Sequence, residues 1–237
     1  MKQWLALSVL MLIPTISPAT TTTALTLDEY QQVKTDLSAC MQGIGQQGIG
    51  LRFSPSVATP TLQRLLVVAG GKDNPNGDKT TLLLKDTAGA LLQTLPVQTD
   101  LGAPAFLPCS VRVEDVNFDG YQDIAVVTGF GAKWHRANYW LYESASGRYR
   151  SSPLTHALGQ LTPSAIVFNP QDKTISTRYI VINEGVAREV FQVEGDSLVL
   201  MEEETWYIDA SQDGKTTATL RKRHKGEMQV VEVKSVD

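Results

Sequence analysis

Two cysteines, three histidines and four tryptophans are all that this 237-residue chain offers of those residue types. The scarcity excludes a disulfide-dense scaffold and a Cys/His zinc site of the usual four-ligand kind. His135, His156 and His224 are scattered without ligand spacing. There is no Gly-x-Ser-x-Gly, His-Glu-x-x-His, phosphate loop or dinucleotide fingerprint, so the common hydrolase, protease and nucleotide chemistries have no foothold. The net charge is only -4, and no broad positive face is suggested, which argues against nucleic acid. The chain is expected to be a non-enzyme.

Long hydrophobic runs are also missing, with one short exception. Lys2 precedes an apolar run from Trp4 to Ile13 that stops at Pro14, and Ser17-Pro18-Ala19 supplies small residues at a cleavage site. A bilayer span takes roughly 20 residues, so this run is too short for one and has the layout of a secretory signal peptide. The reading is a signal peptide over 1–19, with a second possible cut after Ala24, following a threonine tract that looks like a flexible mature N-terminus, then one β-rich domain over 20–237. A periplasmic location follows as an expectation. In an oxidising compartment the single pair, Cys40 and Cys109, is expected to form a disulfide; the alternative is two buried thiols. Closing so long a loop contributes roughly 4 kcal/mol on the chain-entropy view.

Thr26-Leu27-Asp28-Glu29 is a capping box, and Leu27, Tyr30, Val33, Leu37, Cys40, Met41 and Ile44 recur at helical spacing. This predicts a helix over 27–43. Beyond residue 62, short apolar or alternating runs are punctuated by turn clusters such as Asn76-Gly77, Asn183-Glu184-Gly185 and Glu194-Gly195-Asp196. With no second helical pattern, the fold class is all-β, an antiparallel meander or incomplete propeller-like sheet with one N-terminal helix. Glu202-Glu203-Glu204 and the basic run Arg221 to Lys225 read as solvated stretches.

One segment carries chemistry. Asp115-Val116-Asn117-Phe118-Asp119-Gly120-Tyr121-Gln122-Asp123 places oxygen-bearing side chains at loop positions one, three, five and nine, with glycine at six. Calcium takes six to eight hard oxygens, and alternate residues of a tight loop can supply them. The expected ligands are Asp115, Asn117, Asp119, the Tyr121 main-chain carbonyl and Asp123; the alternative is an Asx-rich turn without metal. Position twelve is Val126 rather than a bidentate glutamate, and the flanks are strand-like. A weak structural Ca²⁺ site, on the order of 10⁻⁴ to 10⁻³ M, is therefore expected rather than a sensor.

The stretch from Val111 to Tyr149 resembles the FG-GAP-like calcium hairpins of β-propeller proteins, and more particularly a family of small periplasmic lysozyme inhibitors. The matching parts are Asp115 to Asp123, Ile124 to Thr128, Gly129 to Asn138, Tyr139-Trp140-Leu141-Tyr142 and Ser144 to Tyr149. Ser146-Gly147-Arg148-Tyr149 is similar to the Ser-Gly-x-Tyr loop of inhibitors of invertebrate-type lysozymes. The resemblance implies an immunity protein whose partner is a peptidoglycan-degrading effector, blocked by loops entering its cleft, with Ser146, Gly147 and Tyr149 in contact. An ordinary turn with Tyr149 packed inward is the alternative. Lys133, Trp134, His135 and Arg136 form a second candidate contact by composition, or else Trp134 covers the core edge. A calcium-stabilised structural or adhesive envelope module is the rival reading.

Overall fold

The computed structural model describes residues 23–26, 49–56, 64–69, 81–97, 111–181, 185–209 and 215–236. The signal segment, the helix expected over 27–43 and both cysteines lie outside these residues. Within them the chain is mostly strand, as its turn punctuation implies, and forms three sheets.

The first sheet comprises β1 (Thr23–Thr26), β2 (Ile49–Phe53), β3 (Arg64–Ala69), β4 (Thr81–Lys85) and β5 (Leu91–Pro96), in that order. Its pairs are antiparallel except β1 with β2. The second possible cut, after Ala24, falls within β1. The second sheet is a meander of β6 (Val111–Glu114), β7 (Asp123–Gly131), β8 (Trp134–Glu143) and β9 (Arg148–Arg150). The third is a six-stranded meander of β10 (Ala165–Asn169), β11 (Thr174–Val181), β12 (Gly185–Glu194), β13 (Ser197–Asp209), β14 (Lys215–His224) and β15 (Glu227–Val236).

The second sheet is the centre because its strands are apolar on both faces. Ile124, Val126, Trp140 and Tyr142 meet Leu51, Phe53, Leu82, Leu84 and Leu95 of the first sheet in one core. The alternate residues Ala125, Ala137, Tyr139 and Leu141 build a second core with Ile175 and, partly buried, Phe168 and Phe191 of the third sheet. Period-two alternation assigns each residue to its face. A sheet covered on both sides is a rigid platform for what projects from it.

A helix absent from the sequence reading closes the second core. α1 (Pro153–Gln160) starts at Ser152, whose side chain accepts from Thr155 N, while the Thr155 hydroxyl accepts from Ser152 N. Proline in the first turn suits this start. Leu154 and Leu158 enter the core, and Gly159 allows close approach: a Cβ there would lie 3.3 Å from the Ala137 carbonyl of β8.

The acidic and basic runs of the C-terminal sheet are partners. Register sets Glu202 opposite Lys222 and Glu203 opposite Arg221, with ion pairs of 2.8 and 3.0 Å. Such exposed pairs add little stability each, but opposite charges across the ladder favour this register. Arg223 donates to the carbonyls of Leu200 and Gly226, both at 2.6 Å, and so ties the last hairpin to β13.

Candidate functional site

The acidic loop joins β6 to β7, and its alternating sequence explains its shape. Val116 and Phe118 point into the second core, while Asp115, Asn117 and Asp119 turn toward the loop's own amides. Asp115 accepts from Asp119 N at 3.0 Å and from Gly120 N at 2.8 Å. Asp119 accepts from Tyr121 N at 2.9 Å, and Asn117 Nδ2 donates to Asp119 Oδ2 at 2.9 Å. Gly120 takes φ +90°, a left-handed value that glycine reaches without strain. Burial raises the Asp115 pKa, against the amides of Gly120 and Asp119, which lower it.

Asp123 stands apart from these three. It is fully buried, with Oδ2 accepting from Val116 N at 2.9 Å and Oδ1 from Tyr142 N at 2.8 Å. The carboxylate thus locks the start of the loop to β8. Burial, opposed by those two amides and aided by the charges of Asp119 and Asp115, pushes its pKa up to about 7.

These residues fit a hard cation in kind. Asp115, Asn117 and Asp119 are gathered about one loop, and a carboxylate oxygen holding one N–H keeps a further lone pair. Yet among the described residues no three Asp, Glu, His or Cys side chains stand together as a metal site. A cation would have to draw on the Asn117 amide and main-chain oxygen, the donors that calcium accepts.

The loop is also stitched to the first sheet. Gln122 N donates to Pro55 O at 2.7 Å, beside an isolated bridge between Ser56 and Tyr121. The side chain of Gln93 pairs with the Tyr149 backbone like an extra strand residue, donating to its carbonyl at 2.6 Å and accepting from its N–H at 2.9 Å.

That environment corrects the role expected for Tyr149. On β9 the exposure alternates, with Arg148 and Arg150 outside and Tyr149 2% exposed. Its ring sits in the first core near Tyr142 and Phe53, and its hydroxyl donates to Gln122 O at 3.0 Å. Burial and the Asp123 charge raise its pKa. Tyr149 therefore supports the acidic loop from inside. Ser146 remains exposed in the turn, and Gly147, at φ +67°, donates its N–H to Glu143 O at 2.8 Å.

The segment 129–138, read from sequence as an exposed loop, is instead a hairpin with Ala132 and Lys133 as its turn. Gly131 and Trp134 form the closing pair, and a register shift between Val127 and Gly129 marks a bulge beneath the tip. Trp134 is 40% exposed, and Lys133 and Arg136 are exposed beside it. The indole lies directly on Gly131: a Cβ there would stand 2.9 Å from Cε2 of the ring.

His135, expected in the contact set, faces inward. Its main-chain N–H donates to Pro163 O at 2.9 Å, anchoring the hairpin to the chain after α1. Its buried Nε2 has no hydrogen-bond partner, and burial, then the Arg112 charge, lower its pKa.

Sequence reasoning missed a cleft of about 600 Å³ between β5, β8 and α1. Arg136, Arg150, His156, Gln93 and Gln160 are among its lining residues, and no acidic side chain is. Its parts are far apart in sequence and include the unrecognised helix, so no local pattern marks it.

No family model matches this chain, and no curated protein sequence does either. Among solved structures, the fold is similar to that of a Xanthomonas type IV secretion system related protein, with a TM-score of 0.52 and 12% identity. The similarity spans 80% of this chain and 95% of that one. At this identity it is a likeness of fold.

Proposed function

We propose that this chain is an exported, periplasmic immunity protein that inhibits a peptidoglycan-degrading effector of lysozyme type without catalysing a reaction itself. The observation that carries the reading is Trp134, held half-exposed on Gly131 at the tip of a hairpin rooted in a doubly covered sheet. A rigid aromatic beside Lys133 and Arg136 has the makeup of an interface anchor, since little side-chain freedom is lost when it binds. Glycosidase clefts carry a pair of carboxyl groups, which exposed cations complement. The signal-like N-terminus and the fold shared with a secretion-system related protein support the same reading.

Calcium belongs to this proposal as a brace. Asp115, Asn117 and Asp119 would hold it with the Tyr121 carbonyl, while Asp123 of the expected set braces the loop root through the Val116 and Tyr142 amides. Bound there, the ion supplies positive charge that offsets carboxylate repulsion in the loop.

The experiment mixes the mature protein with a panel of muramidases and follows clearing of a peptidoglycan suspension. Stoichiometric slowing of at least one enzyme is expected. Binding to isolated peptidoglycan with no slowing of any enzyme would favour the structural envelope module instead.

A further inference from the structure

β15 ends the strand order of the third sheet, and its register pairs it with β14 alone among the described residues. It is ten residues long and apolar where an edge is usually guarded: Val230, Val231 and Val233 are 55%, 55% and 62% exposed. Long exposed edges of this kind template pairing with another strand. Two guarding devices are present. The register shift between Leu220 and Arg221 leaves Val231 unpaired as a bulge, and Lys234 adds a charge. The first falls at the fifth of the ten residues and leaves Glu232 to Val236 in regular register. The second is matched by Glu232, 4.0 Å away on the same strand.

We infer that β15 pairs antiparallel with β15 of a second copy of this chain, with the two-fold axis at Val233. Charge selects this register. An axis at Glu232 sets glutamate opposite glutamate, and one at Lys234 sets lysine opposite lysine, each destabilising. An axis at Val231 leaves Glu232 facing Val230 and Lys234 facing Met228. An axis at Val233 places Glu232 opposite the other copy's Lys234 twice over and Val233 opposite itself, within the regular stretch beyond the bulge. The contact is isologous and closed, so it makes a dimer rather than a fibre. It joins two six-stranded sheets edge to edge and leaves the Trp134 hairpin, which belongs to another sheet, outside the pairing.

Sedimentation equilibrium of the mature protein should show its mass rising toward twice the monomer value as concentration increases. Glu232→Lys should abolish the rise, and the exchange Glu232→Lys with Lys234→Glu should restore it, which also controls for folding. A second readout fixes the register. Directly opposed residues of an antiparallel pair have Cα atoms about 4.5 to 5.5 Å apart. That lies within the roughly 4.4 to 6.8 Å a disulfide spans, so Val233→Cys should cross-link between copies under mild oxidation and Gln229→Cys should not. A protein that stays monomeric at hundreds of micromolar overturns the proposal. So does a charge exchange that fails to restore the dimer, or cross-linking at 229 as fast as at 233.

Discussion

Gly131 and Trp134 face each other across the last rung of the β7–β8 hairpin, with the indole occupying the space that any side chain at 131 would fill. On the proposed function, the glycine acts through the tryptophan's position. Gly131→Ala should displace the ring and weaken binding of the target enzyme about as much as Trp134→Ala does, while the thermal midpoint changes little. Affinity intact in Gly131→Ala but lost in Trp134→Ala would mean that the seat is immaterial.

Asp123 caps two buried backbone amides, those of Val116 and Tyr142, across the root of the acidic loop. Asp123→Ala leaves both without an acceptor, at roughly 1 to 3 kcal/mol each. Denaturant unfolding should show a loss of about 2 to 6 kcal/mol on that scale.

Calcium should raise the melting temperature of the mature protein and chelation should lower it. Asp119→Ala should remove most of that response, because Asp119 is exposed and bonds mainly within the loop. Isothermal titration with calcium alone, on wild type and variant, checks this. Wild type that takes up no calcium refutes the metal assignment.

His135 gives a pH dependence of defined sign. Its folded pKa lies below the ordinary value of 6.5, so the folded state disfavours the protonated ring. The associated stability is present above about pH 6.5 and is lost as pH falls through the lower folded pKa. Melting temperatures taken between pH 8 and pH 5 should fall less steeply for His135→Gln than for wild type.

Tyr149→Phe removes one hydroxyl bond to Gln122 O and keeps the ring. It should lose about 1 kcal/mol of stability and leave target affinity unchanged. A large loss of affinity at unchanged stability would return Tyr149 to the interface.

Much of this fold was legible because its strands announce themselves by alternation and by turns. The limits of β4, β5, β11 and β14 fall within a residue or so of the runs read from sequence as Thr80 to Lys85, Leu91 to Leu95, Thr174 to Ile182 and Thr216 to Arg223. The acidic loop was legible as a constellation, because its glycine and evenly spaced oxygens have to lie close together in sequence. α1 was not: it has only two turns, a threonine stands where a capping glutamate would be read, and Gly159 looks like a breaker until β8 is seen packing against it. The inward turn of Tyr149 was also hidden. Ser-Gly-x-Tyr is the same string whether the ring faces solvent or core, and only pairing with β8 and with Gln93 decides the face. The two charge runs looked independent because their relation lies across a ladder.

The most direct measurement is the rate of peptidoglycan lysis by a susceptible muramidase, titrated with wild type and with Trp134→Ala. Wild type should stop lysis near one equivalent. Trp134→Ala should need roughly 30-fold more, the loss of a hot-spot anchor worth about 2 kcal/mol. Lysis unaffected by wild type, or blocked equally by both proteins, would contradict it.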